Sequence, residues 1–348
     1  MKKMMLVVAL MLTASGCYSL DEEVLPSEVR RAIRYGAKLK MTLRIVDEKG
    51  VPVTNALVSV VYGTYEYQKT VNGFTDINGL HVAEDVSTRN SIGGSVAKDG
   101  YYTSFFKFPD IGDLSRILEN GRWQPWNPVI PVILRERRNP IPMYAVRLAF
   151  ERFPSDMGVG YDCEKGDFVE PHGKGKTADF IITMSGGEIP ESRRTKRRLR
   201  LSASDEGGGF IRKQKMKWCE FVSEHEAPVY GYETDILMAD EVERPFYEKN
   251  PGDIAEDEYL IFKSRIIRDK EGNIVSANYG KIYGKLEYVF ANNVNWDPKN
   301  PLSTKSYGGI KCVCFFNPAP NDRNLEFDRT RNLLDPKGRK NVYSSPEF

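Results

Sequence analysis

Histidine is scarce in this chain, and the residue patterns of common hydrolases are missing from it. The 348 residues include three histidines, His81, His172 and His225, and no Gly-x-Ser-x-Gly segment. A serine nucleophile normally needs a histidine base beside it, and zinc sites usually draw on clusters of histidine or cysteine. The sequence therefore predicts no catalytic residue, no metal and no cofactor. Its 48 Asp and Glu residues leave a glycosidase-type carboxylate pair open, but no pair stands out.

The chain also lacks an excess of charge of one sign. It has 50 Lys and Arg against 48 Asp and Glu, and the net charge of +2 disappears if a leader carrying Lys2 and Lys3 is removed. A protein that attracts a polyanion through its overall field needs a basic surplus. We therefore expect no nucleic-acid partner.

The N-terminal apolar run, residues 4–12, is too short to span a membrane, which takes about 20 residues. It follows the basic pair Lys2 and Lys3 and precedes small residues at 13–16. This order of charged, apolar and small segments is typical of a secretory signal. Because Cys17 directly follows the small residues, the segment resembles a bacterial lipobox, in which the cysteine is acylated and becomes the new N-terminus.

The lipobox resemblance implies an exported protein held to a cell-envelope membrane by lipid on Cys17. It implies a signal peptide at residues 1–16 and a tether at 17–37, and it leaves open which membrane and which side. Several acyl chains make a stable anchor, whereas one chain binds only marginally. The lipobox pattern prefers Leu where this chain has Ala14, so plain secretion with Cys17 as an incidental thiol, or an uncleaved anchor, remains an alternative.

Cysteine is sparse as well, with four residues besides Cys17. Cys312 and Cys314 lie two apart on a predicted strand, where both side chains point to one side and cannot readily bridge each other. In an oxidising compartment, Cys163 or Cys219 is free to pair with either of them. Four reduced, buried thiols are an equal alternative. The spacings match no zinc template.

Proline and glycine are frequent, at 20 and 29 residues, and long helical patterns are few. One short helix is expected at residues 27–34, with Ser27 as its N-cap. From about residue 39, polar and apolar residues alternate between turn signals, which predicts an all-β chain beginning with an antiparallel sandwich over residues 38–137. The predicted strands of this sandwich are 41–46, 56–62, 70–75, 80–86, 94–98, 101–108 and 129–134.

Three motifs of this region lie at residues 47–58, 73–79 and 98–102. In the first, Gly50 closes a hairpin and Pro52 stiffens the chain that follows, while the other two contain tight turns. Together they resemble the carboxypeptidase regulatory-like, or transthyretin-like, β-sandwich, with an immunoglobulin-like domain as the near alternative. The resemblance covers roughly a third of the chain. It implies a non-catalytic module of the kind often appended to surface proteins, and it does not imply carboxypeptidase activity.

An insert at residues 116–128 carries Trp123 and Trp126 on either side of Pro125. Indole rings stack on the faces of sugars and peptides, so the two rings are a candidate ligand platform. The alternative, which we favour, is a loop folded onto the sandwich.

The remaining chain is predicted as a second β-rich domain of unassigned fold at residues 138–315, followed by an extended tail at 316–348. Pro140 and Pro142 indicate an extended joint between the two domains. A long antiparallel hairpin is expected where the turn at 269–273 connects two strand patterns. The tail is polar, so no regular structure is expected there. The predicted strands are 178–184, 197–202, 215–222, 259–269 and 274–290.

A dense cationic run lies at residues 193–200. Such a run fits binding of a polyanion such as an acidic glycan. It also fits a solvated hairpin or an edge strand, because charge on an edge prevents pairing with another sheet, and we favour this second interpretation. The candidate polyanion patch consists of Arg193, Arg194, Lys196, Arg197, Arg198 and Arg200.

Residues 173–177, with the sequence GKGKT, end like a phosphate-binding P-loop. The full motif requires glycine at the position of Glu170, and an exported protein meets little nucleotide. The segment is therefore expected to be a flexible turn.

These observations favour an exported, lipid-anchored envelope protein with a non-catalytic binding or structural role, and an envelope protein or a glycan as its partner. A carbohydrate-active enzyme or a glycan-binding accessory protein is the alternative. Carboxylates gathered with aromatic rings in one cleft of the second domain would favour that alternative.

Overall fold

The computed structural model describes residues 25–63, 68–89, 92–108, 117–188, 194–243, 254–293, 295, 297, 299 and 305–334. Their regular secondary structure is nearly all β, arranged in several sheets, which confirms the predicted all-β, sandwich-type fold. The chain divides into two compact units. Among the described residues, unit 1 comprises those up to Ala97 and Phe105–Ile133, and unit 2 comprises Lys98–Ser104 and those from Leu134 onward.

The first described element of unit 1 is the helix α1 (Ser27–Tyr35). Its presence confirms the prediction, but the predicted cap is wrong, because Pro26 occupies the N-cap position and no side chain caps the helix. Proline suits this position because it has no N–H group, and the N–H groups at the start of a helix have no partner within the helix. The helix ends at Gly36, whose φ of 85° is readily adopted only by glycine.

The next strands alternate between buried and exposed residues, as a sheet with one covered face requires. In the first strand, Leu39, Met41, Leu43 and Ile45 are buried in this way. The strands are β1 (Ala37–Asp47), β2 (Leu57–Gly63), β3 (Gln68–Phe74), β4 (Leu80–Ser87), β5 (Ile92–Ala97), β6 (Tyr101–Tyr102), β7 (Ser104–Phe108), β8 (Leu118–Glu119), β9 (Arg122–Trp123) and β10 (Val129–Glu136).

These strands form a sheet of order β6-β10-β1-β9-β8, in which β4 also pairs with β1, and a second sheet of order β3-β2-β5-β7. The predicted strand at 101–108 is divided into two strands. β6 pairs with the end of β10, whereas β7 lies next to β5 in the other sheet. Two of the three predicted turns form around a carboxylate. Asp47 accepts the N–H groups of Lys49 and Val51 beside Gly50, and Asp76 accepts those of Asn78 and Leu80 beside Gly79.

Unit 2 contains β6, the end of β10 and two further sheets, of order β16-β18-β19-β20-β11-β21 and β13-β12-β14-β15-β17. The strands are β11 (Ile141–Pro154), β12 (Gly158–Asp162), β13 (Asp167–Phe168), β14 (Phe180–Glu188), β15 (Arg194–Ala203), β16 (Gly209–Gln214), β17 (Asp235–Glu243), β18 (Glu258–Arg268), β19 (Ile274–Asn292), β20 (Ser306–Asn317) and β21 (Phe327–Asn332). The long hairpin predicted around 269–273 is confirmed by the pairing of β18 with β19.

The six-stranded sheet of unit 2 is covered on both faces. Leu260 and Phe262 pack into the main core with residues of the five-stranded sheet, whereas Tyr259 and Ile261 pack with Leu325 in a separate cluster on the other side. A strand buried on both faces reads as a continuous apolar run, and residues 259–262 form such a run. Loop segments before β17 and after β20 supply this second cover.

Several predictions for unit 2 are wrong in detail. Residues 215–222 form a loop instead of a strand, and their buried side chains cover the sheet. The predicted joint at 139–144 enters β11, where Pro142 lies at a register shift against β21 and so needs no ladder N–H. The predicted tail contains β21, which pairs in parallel with β11, and Asn332 there bonds both the N–H and the carbonyl oxygen of Ala145.

Candidate functional site

The cationic run forms β15, which lies in the interior of its sheet. It pairs with β14 on one side and with β17 on the other, so the interpretation as an edge strand protected by charge is wrong. Alternate residues point to opposite faces: Leu199 and Leu201 are buried in the core, and Arg198 and Arg200 are exposed. Sequence alone did not show this, because the partner β17 begins more than thirty residues further along the chain.

The exposed side chains of β15 form a line that we call the outer cationic row, consisting of Lys196, Arg198 and Arg200. Arg200 makes a bidentate ion pair with Asp235, at 2.9 and 2.7 Å. The register places Ser185 and Ala239 opposite Arg198, so short side chains flank its guanidinium group. The row therefore places three cationic side chains on an open sheet face, and the charge of one of them, Arg200, is compensated there by Asp235.

The other members of the predicted patch do not join this row. Arg197 points to the opposite face, donates to the carbonyl oxygen of Tyr288 at 2.8 Å, and lies 5.0 Å from the Tyr288 ring centroid. Arg193 and the side chain of Arg194 lie outside the described residues, as does Cys17.

The two tryptophans of the predicted ligand platform are placed differently from each other. Trp123 is 1% exposed, and its indole N–H donates to the carbonyl oxygen of Ser87 at 2.7 Å. Trp126 is half-buried, and the guanidinium carbon of Arg122 lies 4.8 Å from its ring centroid. The structure thus buries Trp123 against the sandwich. Of the two rings, the one exposed to solvent is that of Trp126.

The P-loop-like segment wraps around a carboxylate of the chain itself. One oxygen of Asp162 accepts the N–H groups of Lys176 and Thr177, at 2.8 and 3.1 Å, and the other accepts those of Glu164 and Lys165, at 3.0 and 3.1 Å. Backbone amides of this kind bind phosphate in nucleotide-binding loops. Here the carboxylate of Asp162 occupies them, and the turn is held in place instead of being flexible.

Asp162 belongs to an ionic cluster that we call the Arg265 centre, consisting of Arg265, Asp162, Glu164 and Asp179. Asp162 and Asp179 are buried, and Arg265 and Glu164 are partly exposed. Arg265 donates to both oxygens of Asp179, at 2.8 and 3.1 Å, and also to Glu164. Its φ of 52° and the adjacent register shift in β18 turn the side chain inward. Burial acts to lower the pKa of Arg265, but the hydrogen bonds and charges of Asp179, Glu164 and Asp162 raise it above its ordinary value overall.

The Arg265 centre combines carboxylates with an aromatic ring, since the guanidinium carbon lies 4.6 Å from the centroid of Phe316. Each oxygen of Asp179 nevertheless accepts two hydrogen bonds, which involve Arg265, Ser264 and the N–H of Cys163. A general base needs a lone pair directed at a substrate proton. The carboxylate of Asp179 is instead saturated by internal donors, and the cluster ties loops to the sheet.

A second buried cluster lies on the other face of the six-stranded sheet, and we call it the Lys281 centre, consisting of Lys281, Arg135, Ser223, His225 and Glu326. The Nζ atom of Lys281 donates to Ser223 Oγ and to the carbonyl oxygen of Leu325, at 2.9 and 2.7 Å. Burial, and then the charge of Arg135, lower the pKa of Lys281 well below its usual range, and Glu326 opposes them. The rings around Nζ, with centroids at 5.0, 4.8 and 5.1 Å, are those of Phe221, Tyr283 and Phe315.

Arg135 connects this centre to the loop that covers the sheet. It donates to the carbonyl oxygens of Phe221 and Ser223, and its Nη2 lies 3.1 Å from Nδ1 of His225. Because a guanidinium only donates, His225 Nδ1 accepts, and Nε2–H donates to the carbonyl oxygen of Glu136 at 3.0 Å. This places the proton of the neutral imidazole on Nε2.

Sequence reasoning missed both centres. A signal was present for the second, since Lys281 stands between Tyr279 and Tyr283 at the spacing of one strand face. A lysine on an otherwise aromatic strand face marks a buried amine. No comparable local signal marks Arg265, because its three carboxylates come from distant segments.

No group of three or more His, Cys, Asp or Glu residues in the described part of the chain is arranged to hold a metal ion. Among the same residues, no helix is both long and apolar enough to cross a bilayer.

Comparison with known proteins gives little. No protein-family model matches the chain, and no curated protein matches it. A solved structure of 3-chlorocatechol 1,2-dioxygenase from Rhodococcus opacus 1CP matches 29% of this chain and 61% of its own, at 14% identity and a TM-score of 0.23. A mutant of Acinetobacter radioresistens catechol 1,2-dioxygenase matches 31% of this chain and 55% of its own, at 14% identity and a TM-score of 0.24. Likenesses this weak and partial carry no argument about function.

Proposed function

We propose that this chain is an exported, lipid-anchored cell-envelope protein that binds an acidic envelope glycan without catalysing a reaction. The N-terminal pattern that ends at Cys17 supports the location. In this proposal unit 1 is a carboxypeptidase regulatory-like module, which the three turn motifs and the sandwich-type fold support.

The outer cationic row is the observation that carries the binding role. Cations on an edge strand are explained by protection against edge pairing, but β15 is an interior strand and needs no such protection. Lys196, Arg198 and Arg200 stand at every second position of one open face, a spacing of about 6–7 Å along the strand. A linear polyanion of sugar carboxylates or phosphates fits the spacing of the row and the charges of Lys196 and Arg198, and it would compete with Asp235 for Arg200.

The buried centres support a non-catalytic role. The carboxylates of the Arg265 centre and the amine of the Lys281 centre are engaged by internal donors and acceptors. The carbohydrate-active alternative depends on carboxylates beside aromatic rings in a cleft. Of the three carboxylates that the structure gathers near Phe316, Asp162 and Asp179 are buried, and all three are engaged by internal donors.

The location is tested by replacing Cys17 with Ser in the native host. The parent should fractionate with membranes and incorporate labelled fatty acid, and the variant should do neither. Replacing Ser19 with Ala is the matched control, because it leaves the acylated position intact. If parent and variant fractionate identically, the proposal that lipid on Cys17 anchors the protein is wrong.

The glycan role is tested with heparin as the probe. A variant carrying Lys196→Gln, Arg198→Gln and Arg200→Gln should lose most of the binding seen at low salt, and binding of the parent should weaken as salt rises. The control carries Lys174→Gln, Lys176→Gln and Lys270→Gln, which remove the same charge from exposed sites elsewhere. An equal loss in the control, or no salt-sensitive binding by the parent, contradicts the proposed site.

A further inference from the structure

Two cysteines from different sheets of unit 2 meet in its core. Cys163 directly follows β12 in the five-stranded sheet, and Cys314 lies on β20 in the six-stranded sheet. Their Sγ atoms are 3.5 Å apart, and both residues are buried in the main core cluster. The S–S distance in a disulfide bond is about 2.05 Å, so a small movement of the two side chains would bring the sulfurs to bonding distance.

The other two described cysteines are placed differently. Cys219 belongs to a separate cluster with Tyr102 and Phe221, and its thiol is hydrogen-bonded to Ser104. Cys312 lies two residues before Cys314 on the same strand face, where it pairs across the ladder with Leu148. Of the pairings that the sequence leaves open, the structure therefore favours Cys163 with Cys314.

We propose that Cys163 and Cys314 are joined by a disulfide bond in the mature protein, which fastens the two sheets of unit 2 together. The inference rests on the proposed function, because export carries the chain into an oxidising compartment. The reaction joins the two Sγ atoms and releases two protons. Two electrons pass to a disulfide-bearing oxidant, whose own disulfide is reduced to two thiols.

Burial determines when this bond forms. Thiol–disulfide exchange proceeds through the thiolate, and burial raises the pKa of the Cys163 thiol well above its usual range. The backbone N–H of Cys163 is also fixed to Asp179 at 2.8 Å, inside the Arg265 centre. The bond therefore forms before the two sheets close, and afterwards the folded protein protects it from reductants.

The bond would close a long loop, since the two cysteines are 151 positions apart. A cross-link of this span restricts the unfolded chain strongly, and we expect oxidation to raise the melting temperature of unit 2 by about 10 °C. Cys312→Ala should retain this rise, whereas Cys314→Ala should abolish it. The two variants remove buried thiols from the same strand face, so loss of packing affects both and the redox-dependent shift affects only one.

The pairing itself is tested on the full chain with Cys17→Ser, unfolded, reduced and refolded with a mixture of oxidised and reduced glutathione. Remaining thiols are alkylated in denaturant, and the digest is analysed by mass spectrometry. The expected product links the peptides of Cys163 and Cys314 and carries alkylated Cys219 and Cys312. A different linkage, or alkylation of all four cysteines, overturns the inference.

Protein recovered from the native host separates this inference from the proposed function. A membrane-anchored protein in which Cys163 and Cys314 are both alkylated overturns the disulfide and leaves the function standing. A protein that stays in the cytoplasm overturns the function, and the refolding experiment then decides on its own whether the two cysteines pair. Resistance of the bond to reductant in the folded protein, and its loss in denaturant, is the result expected from burial.

Discussion

The two buried ionic centres of unit 2 hold their cations in opposite ways. In the Arg265 centre, one guanidinium faces the carboxylates of Asp162, Glu164 and Asp179. In the Lys281 centre, the direct partners of the amine are a hydroxyl and a backbone carbonyl, and a second cation, Arg135, stands nearby. One centre surrounds its cation with negative charge, and the other surrounds it with neutral groups and aromatic rings.

The difference explains why the pKa values of the two cations shift in opposite directions. Compensating carboxylates raise the pKa of Arg265, so this residue remains charged. Burial without a bonded carboxylate lowers the pKa of Lys281, so protonation of its amine is less favourable than in an exposed lysine. Its hydrogen bonds to Ser223 and to the carbonyl oxygen of Leu325 hold the amine in this apolar layer.

The largest expected effect comes from removing the compensated cation with Arg265→Met. Asp179 would be left fully buried without its counter-ion, and breaking a buried pair in this way costs about 3–5 kcal/mol of unfolding free energy. Chemical denaturation of the purified protein measures the change. Arg268→Met, on the same strand but partly exposed, is the control and should cost less than about 1 kcal/mol. Equal effects would mean that backbone donors alone hold the carboxylates.

A smaller loss is expected for Arg135→Met in the other centre. The carbonyl oxygens of Phe221 and Ser223 lose their donor, which costs about 2–3 kcal/mol. Removing this positive charge should also raise the pKa of Lys281 toward its ordinary value. Unfolding free energies across a pH series test both effects, with the exposed Arg138→Met as control. An unchanged pH profile would show that Arg135 does not act on Lys281.

The smallest loss at neutral pH is expected for Lys281→Met, at about 1 kcal/mol, because lost hydrogen bonds are partly offset by relief from burying the amine. The pH dependence is the sharper test. Between the lowered pKa of the folded state and the ordinary lysine value of 10.5, the unfolded chain holds a proton that the folded chain lacks. The unfolding free energy of the parent should therefore rise with pH in this window, by up to about 1.4 kcal/mol per pH unit.

Lys281→Met should remove this rise, and Lys285→Met should retain it. Lys285 lies on the same strand and its side chain is 60% exposed, so it carries a comparable charge outside the core. If the pH profile of Lys281→Met coincides with that of the parent, the amine of Lys281 is not the titrating group.

Local patterns were sufficient to predict many elements of the fold. β1, β2 and the β18–β19 hairpin were expected near their observed positions, because a period of two and a strong turn are properties of neighbouring residues. The turns around Gly50 and Gly79 follow from the same local chemistry. The tertiary packing that surrounds them changes such segments little.

Other expectations failed where a distant segment decides the outcome. β15 was interpreted as an edge strand, but β17 covers its second side. Residues 327–332 were expected to be irregular, but they pair with β11 almost two hundred positions earlier. Pairing partners this remote leave no trace in the local pattern of residues. The order of strands in a sheet therefore cannot be predicted from one sequence.

Local residue patterns are enough to predict an all-β chain and the turns that divide its strands, and the N-terminal pattern predicts export and lipid attachment. The packing of distant segments places Asp162 in the P-loop-like turn, buries Lys281, surrounds Arg265 with carboxylates, and brings Cys163 to Cys314. The reason is physical: secondary structure follows from the spacing of neighbouring residues. Whether a polar side chain is buried, and which groups it bonds, depends instead on which distant segments pack over it. That packing also sets the direction of its pKa shift.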